Sequence, residues 1–302
     1  MKFALLGALG VFTLGYLVVW ISAAWTPKTS ANPQGSQGDA RTSVVQLVIG
    51  FVTNFFDTLG IGSFATTCSM FKLFNIVPDG LIPGTLNVGH TLPAIVQAYI
   101  FISIIQVDGR TLACMIAASV AGAWIGAGII SRWPQQKVRF ALGLALIAAA
   151  LLMLASQLNF LPIGSDADGL TGARLLVGIA GNFVLGALMT LGIGLYAPCM
   201  ILVSLLGMNP KAAFPIMMGS CAFLMPTGSV RFIREQRYQL NASLGLALGG
   251  LPAVFLAAFL VKSLPLSAIH WLVVIVVLYT AAMMLRSGYI DRRGAVAPQA
   301  QL

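Results

Sequence analysis

Charge is what this sequence lacks most. Only 8% of its 302 residues are charged, against 58% hydrophobic, and the mean hydropathy is +0.92. A soluble domain carries roughly a quarter charged residues, so a water-soluble fold is excluded. Histidine is scarce (2), and the 4 cysteines, Cys68, Cys114, Cys199 and Cys221, sit inside apolar runs without CxxC or metal-ligand spacing, so they read as small packing residues. There is no HExxH, no GxSxG and no Walker A sequence, and no pair of intramembrane aspartates. These absences leave no enzyme signature, no cofactor or metal, and no ATP-driven pumping by this chain alone.

What is present is long, continuous apolar sequence rich in Ala, Leu, Gly and Ile, which reads as membrane-spanning helices and not as the alternating strands of a membrane β-barrel. The fold class is therefore all-α, a polytopic integral membrane protein. The formal charge of +9 does not point to nucleic acid. Its basic residues fall in short loops, where they set orientation and meet anionic lipid. Residues 1–25 form an N-terminal anchor helix or a signal segment, and 26–43 a polar linker. Apolar segments follow at about 44–74, 82–105, 111–131 and 138–158. A polar loop at 159–172 separates them from further segments at about 173–206, 212–228, 241–262 and 266–286, and residues 287–302 form a polar, disordered tail.

The chain is duplicated. Thr58-Leu59-Gly60-Ile61-Gly62 recurs as Thr190-Leu191-Gly192-Ile193-Gly194, an offset of 190 − 58 = 132. Pro78 and Pro83 match Pro210 and Pro215 at the same offset, and Trp133-Pro134 matches Leu264-Pro265 one residue short of it. The repeats are 44–158 and 173–286. If 44–74 and 173–206 each cross the membrane once, the lysines and arginines split ten to seven between its faces. If each instead folds back at its Gly-Ile-Gly, only Lys2, Arg110, Arg174, Lys211 and Lys262 oppose the other twelve, the bias that the positive-inside rule expects. Each repeat then has a broken, re-entrant helix plus three spans. That odd number of crossings inverts the second repeat and brings both glycine turns toward mid-membrane.

Several residues are candidates for the transport chemistry of such a protein. Gly60, Gly62, Gly192 and Gly194 supply turns whose N–H groups, with the following half-helix, attract an anion; packing through small residues is the alternative. Asp57, an acid deep in apolar sequence whose counterpart is Met189, is a proton-coupling candidate or a carboxyl that orders polar partners such as Asn54. His90 is the second proton-coupling candidate, and could equally be a satisfied structural residue. Asn87 and Thr91 share its helix. Arg231, Arg234 and Arg237 beside Glu235 could gather anions at one mouth or form an ordinary basic loop.

Gly50-Phe51 through Gly60-Ile61-Gly62, the proline-marked loop, Gly122, Gly126 and Gly128, and Trp133-Pro134 before Arg139-Phe140 resemble the TauE/SafE family over residues 44–286. The pattern departs from the family's at Ser63 and Leu195 after the glycine motifs, and only the second copy carries the nearby proline, Pro198. The resemblance implies a secondary transporter of a small anion such as sulfite, an organosulfonate or a small carboxylate, in the bacterial inner (plasma) membrane. Few cationic side chains lie inside the membrane, so binding would rely on backbone N–H groups with Asn54, Thr58, Asn87 and Thr190. A channel-like permease for a neutral solute, or a membrane assembly factor without transport, stands as the alternative.

Overall fold

The computed structural model describes residues 2–25, 43–130, 167–189 and 195–296, with scattered positions between 140 and 155. Among the described residues the chain is helical and has no strand. Helix α1 spans Lys2–Trp25, α2 Val44–Thr58, α3 Phe64–Leu73, α4 Ile82–Ile104 and α5 Gly109–Ile130. Then follow α6 (Gly172–Met189), α7 (Tyr196–Leu205), α8 (Ala213–Arg234), α9 (Leu240–Ser263) and α10 (Leu266–Val296). Among the described residues five helical stretches are long and apolar enough to cross a membrane: Lys2–Ala23, Asp79–Ile104, Gly172–Met189, Pro210–Arg234 and Leu240–Ser263. Helix α10 continues past residue 286, where the sequence suggested a disordered tail; Ser287 to Val296 contains no proline to stop it.

The duplication is written into the element boundaries. Helix α3 at 64–73 and α7 at 196–205 correspond residue for residue at the offset of 132. Each ends in the same cap. Asn75 and Gly207, again 132 apart, both have positive φ. In the first copy Asn75 N–H donates to Lys72 O and Ile76 N–H to Phe71 O; in the second Gly207 N–H donates to Ser204 O and Met208 N–H to Val203 O. These are paired Schellman motifs, which satisfy carbonyls that a helix end leaves open. A 3₁₀ turn follows in both copies, at Asp79–Leu81 and at Pro210–Ala212, and leads into α4 and α8.

The chain forms two compact units that do not follow the repeat boundaries. One comprises residues 1–113 and 215–264, the other 114–214 and 265–302. Each unit thus combines the broken first segment of one repeat with the second span of the other: α2, α3 and α9 in the first, α6, α7 and most of α5 in the second. In the second unit α5 and α6 pack with backbones nearly touching, since a Cβ on Gly186 would run into Ser119 O. Asn182 Nδ2 donates to Met115 O at 2.7 Å across the same seam. Such close approach is how membrane helices gain packing energy where lipid offers no hydrophobic drive.

In the first unit α2 opens with a capping box: Gln46 N–H donates to Ser43 Oγ and Ser43 N–H to Gln46 Oε1. Helix α1 lies antiparallel along α4. Lys2 Nζ donates to Ile105 O, Tyr99 OH to Leu6 O and Tyr16 OH to Val88 O, so low numbers on α1 meet high numbers on α4. Tyr16 and Trp20 are buried there with Val88, Ile233 and Ala247.

Candidate functional site

The site grows from the first glycine motif. Helix α2 stops after Thr58 because Gly60 takes φ +98°, a left-handed conformation that costs L-residues energy and glycine nothing. Gly60 N–H donates to Asp57 O at 2.8 Å and Ile61 N–H to Phe56 O at 3.1 Å, another Schellman cap. Gly62 adds a second positive φ, +88°, and α3 starts at Phe64. The turn therefore consumes two of the N–H groups that the sequence offered to an anion. Donors of the first turn of α3, which intrahelical bonding leaves unused, remain.

The direction of α3 is fixed by a histidine. His90 Nδ1 lies 3.0 Å from Asn54 Oδ1, and His90 Nε2 lies 3.0 Å from Thr67 Oγ1. Had α2 and α3 formed one continuous helix, Asn54 and Thr67 would be roughly 20 Å apart, too far to bond one imidazole. The chain has reversed. Ile49 and Phe71 share one core cluster, which an unbroken helix would separate by roughly 33 Å. Helices α2 and α3 are thus a hairpin, the geometry the charge count favoured for the first repeat. The second motif, with Thr190, Gly192 and Gly194, lies outside the described residues, between α6 and α7.

Hydrogen-bond roles follow from chemistry. Asn54 Nδ2 donates to Gly50 O at 2.7 Å and to Leu246 O at 3.4 Å, so its Oδ1 faces His90 as an acceptor. His90 then carries its proton on Nδ1 and accepts from the Thr67 hydroxyl at Nε2. Asn54, Thr67 and His90 are 0 to 1% exposed. Glycine is required at position 250, on α9, because the Asn54 amide occupies the space a Cβ would need.

About two turns beyond His90 on α4, Gln97 holds the end of α2. Its Nε2 donates to Asp57 Oδ2 at 3.0 Å and to Thr58 Oγ1 at 2.8 Å, and Thr58 in turn donates to Asn54 O at 2.7 Å. Asp57 is 6% exposed and Gln97 0%. Thr91 bonds Ser229 Oγ at 2.8 Å, a polar link between α4 and α8. A continuous set of hydrogen bonds thus runs from Asp57 through Gln97, Thr58, Asn54 and His90 to Thr67.

Asp57 and Asn54 do not meet as the sequence suggested: the amide serves His90, and Gln97 serves the acid. Asn87 stands apart from this set. It is half-buried, donates to Pro83 O on its own helix, and turns its amide oxygen toward Gly228. Gln97 and Thr67 were not found by sequence reasoning. A lone glutamine in the apolar run Leu92 to Ile105 was a usable signal; Thr67, one of two adjacent threonines, gave none. Arg231 and Arg237 are exposed and flank Glu235 at 2.9 and 4.0 Å, and the hydrogen bond from Arg231 holds the Glu235 carboxyl below its ordinary range. Among the described side chains no lysine or arginine is buried; Lys2 and Lys211 are half-buried and the others exposed.

Residues 2–153 and 174–301 match the family described as sulfite exporter TauE/SafE, the match falling in two segments that mirror the duplication. No curated protein and no solved structure matches the chain significantly. With nearly its whole length matched, and apolar helices long enough to span a bilayer, this chain is an integral, multi-pass membrane protein and belongs to the TauE/SafE family of membrane transporters.

Proposed function

We propose that this protein is a secondary transporter, not an enzyme, that moves a small anion such as sulfite, an organosulfonate or a small carboxylate across the bacterial inner membrane by alternating access. The observation that carries the reading is the reversed hairpin α2–α3. Its Gly60–Gly62 turn is held by buried Asn54, His90 and Gln97, and it opens onto the first turn of α3. Irregular backbone at membrane depth is tolerated where it is buried in protein or lines a polar path. A half-helix N-terminus there attracts negative charge. Family membership supports an anion as the cargo.

In this reading the backbone around Gly60 and Gly62, and around Gly192 and Gly194 in the second copy, forms the substrate contact. Thr58, Thr190, Asn54 and Asn87 shape the path, and Asp57 carries the coupling proton. His90, with both nitrogens engaged, keeps the hairpin closed and is the secondary proton candidate. Uptake of labelled sulfite and small organic acids into proteoliposomes tests the proposal. The expected result is flux that responds to a pH gradient, and absence of flux for every anion, with or without the gradient, refutes it.

A further inference from the structure

Ser119 on α5 departs from the habit of the helical hydroxyls in this chain. Thr53 donates to Ile49 O, Thr58 to Asn54 O, Thr85 to Leu81 O and Ser204 to Met200 O, each at 2.7 or 2.8 Å and each to the carbonyl four residues back. Ser119 makes no such bond. Its side chain is 0% exposed, and its Oγ has no hydrogen-bond partner among the described residues. The carbonyl it would use, Met115 O, accepts instead from Asn182 Nδ2 of α6 at 2.7 Å. A buried hydroxyl without a partner is destabilising, so its presence calls for a reason.

The duplication supplies a comparison. Helices α5 and α9 begin 131 residues apart (240 − 109), the offset of Trp133-Pro134 from Leu264-Pro265, so Met115 corresponds to Leu246 and Ser119 to Gly250. In both units an asparagine of the helix before the glycine motif reaches that carbonyl, Asn182 to Met115 O and Asn54 to Leu246 O. In the first unit the Asn54 amide fills the space beside Gly250, and its oxygen is engaged by His90. The residue equivalent to Asn54 is Gly186 (54 + 132), which packs against the Ser119 backbone and brings no side chain. The polar group has therefore changed sides of the seam: an amide on α2 faces a glycine in one copy, and a hydroxyl on α5 faces a glycine in the other. The amide is bonded within the protein and the hydroxyl is not. Gly186 stands in the last turn of α6, which ends at Met189 directly before the second Gly-Ile-Gly motif in sequence.

We infer that Ser119 is a substrate-binding residue, whose hydroxyl donates to an oxygen of the anion at the last turn of α6. An oxyanion supplies the acceptor that the fold does not, and a neutral donor meets it without adding a fixed charge. This rests on the transporter reading above and adds to it a side chain from α5.

The test uses the full chain in detergent and in proteoliposomes. Sulfite, methanesulfonate and acetate are each tried, and the variants are compared on the anion that most raises the parent's melting temperature. Without anion, Ser119→Ala is expected to melt no lower than the parent, since only an unpaired hydroxyl is lost. The anion-induced rise should shrink, and the apparent KM for uptake should increase about tenfold, as for loss of one hydrogen bond to a charged group. Ser119→Cys keeps the volume with a weaker donor and should shift both readouts in the same direction. Ser103→Ala removes an exposed hydroxyl bonded to Tyr99 O on its own helix and should match the parent. Parental KM and parental thermal shift in both Ser119 variants overturn the inference and leave the transporter reading standing; the hydroxyl then packs, or holds a buried water. A lower melting temperature with unchanged KM gives Ser119 a structural role and overturns it equally. A thermal shift that Ser119→Ala removes, with no flux by the parent, keeps the site and sinks the transporter reading, and absence of both in the parent sinks the two together.

Discussion

Asn54 and Thr67 lie thirteen residues apart along the chain (67 − 54) and bond opposite nitrogens of the same buried ring, His90, at 3.0 Å each. The clasp closes the hairpin arms without a charged group. Replacing His90 by phenylalanine keeps most of the volume and leaves Asn54 Oδ1 buried without this donor. An unmet buried acceptor costs about 1–3 kcal/mol. The expected outcome is a lower melting temperature in detergent. The double variant with Thr67→Val should lose less than the sum of the two single losses, because both remove one network. Strict additivity in that cycle would mean the two contacts act independently.

The reversal makes a claim about membrane sides. The start of α2 and the end of α3 lie together, so single cysteines at Ser43 and Leu73 should react with a membrane-impermeant maleimide from the same face of oriented vesicles. Reaction from opposite faces would show that the segment crosses. The lipid faces themselves are consistent with either outcome, since Val44, Val45 and Val48 are exposed and apolar.

Gly60 is the residue on which the turn depends. At φ +98° an added Cβ is strained, at a cost of about 1–2 kcal/mol. Gly60→Ala should therefore lower thermal stability by that amount and depress flux. Gly62→Ala, at φ +88° but with nothing within 4 Å of the position its Cβ would take, tests strain without crowding. If both variants transport and melt as the parent does, the turn is not a rigid element of the hairpin.

Part of this was legible in the sequence because glycine, proline and charge carry strong local meaning. The first Gly-Ile-Gly marked the break between α2 and α3, and the lysine and arginine distribution favoured a hairpin over a single span, as the Asn54–His90–Thr67 clasp bears out for the first copy. Asp57 was conspicuous because an acid in apolar sequence is rare. Its partner was not, because Gln97 lies forty residues on and only the parallel run of α4 beside α2 brings the two together. The exchange of second spans between repeats was equally hidden: nothing local in α9 says that it packs with α2.

Gln97 separates a structural role from a positioning one. One amide nitrogen reaches both Asp57 and Thr58, the last two residues before the turn, so it fixes the tip of the hairpin relative to α4. Gln97→Met preserves length and volume but removes both donor contacts, whereas Gln97→Glu keeps a polar group and sets a second acid against Asp57. The native Cys68 on α3 is partly exposed and reports on the hairpin, and Cys114 on α5 serves as a control. Gln97→Met is expected to raise the maleimide labelling rate of Cys68 several-fold, leave Cys114 unchanged, and reduce the maximal transport rate more than the apparent affinity. Gln97→Glu should in addition alter the pH profile of flux, because two carboxyls at hydrogen-bonding distance cannot both ionise freely. Equal acceleration at both cysteines would indicate general loosening of the fold, and an unchanged Cys68 would show that Gln97 does not hold the tip.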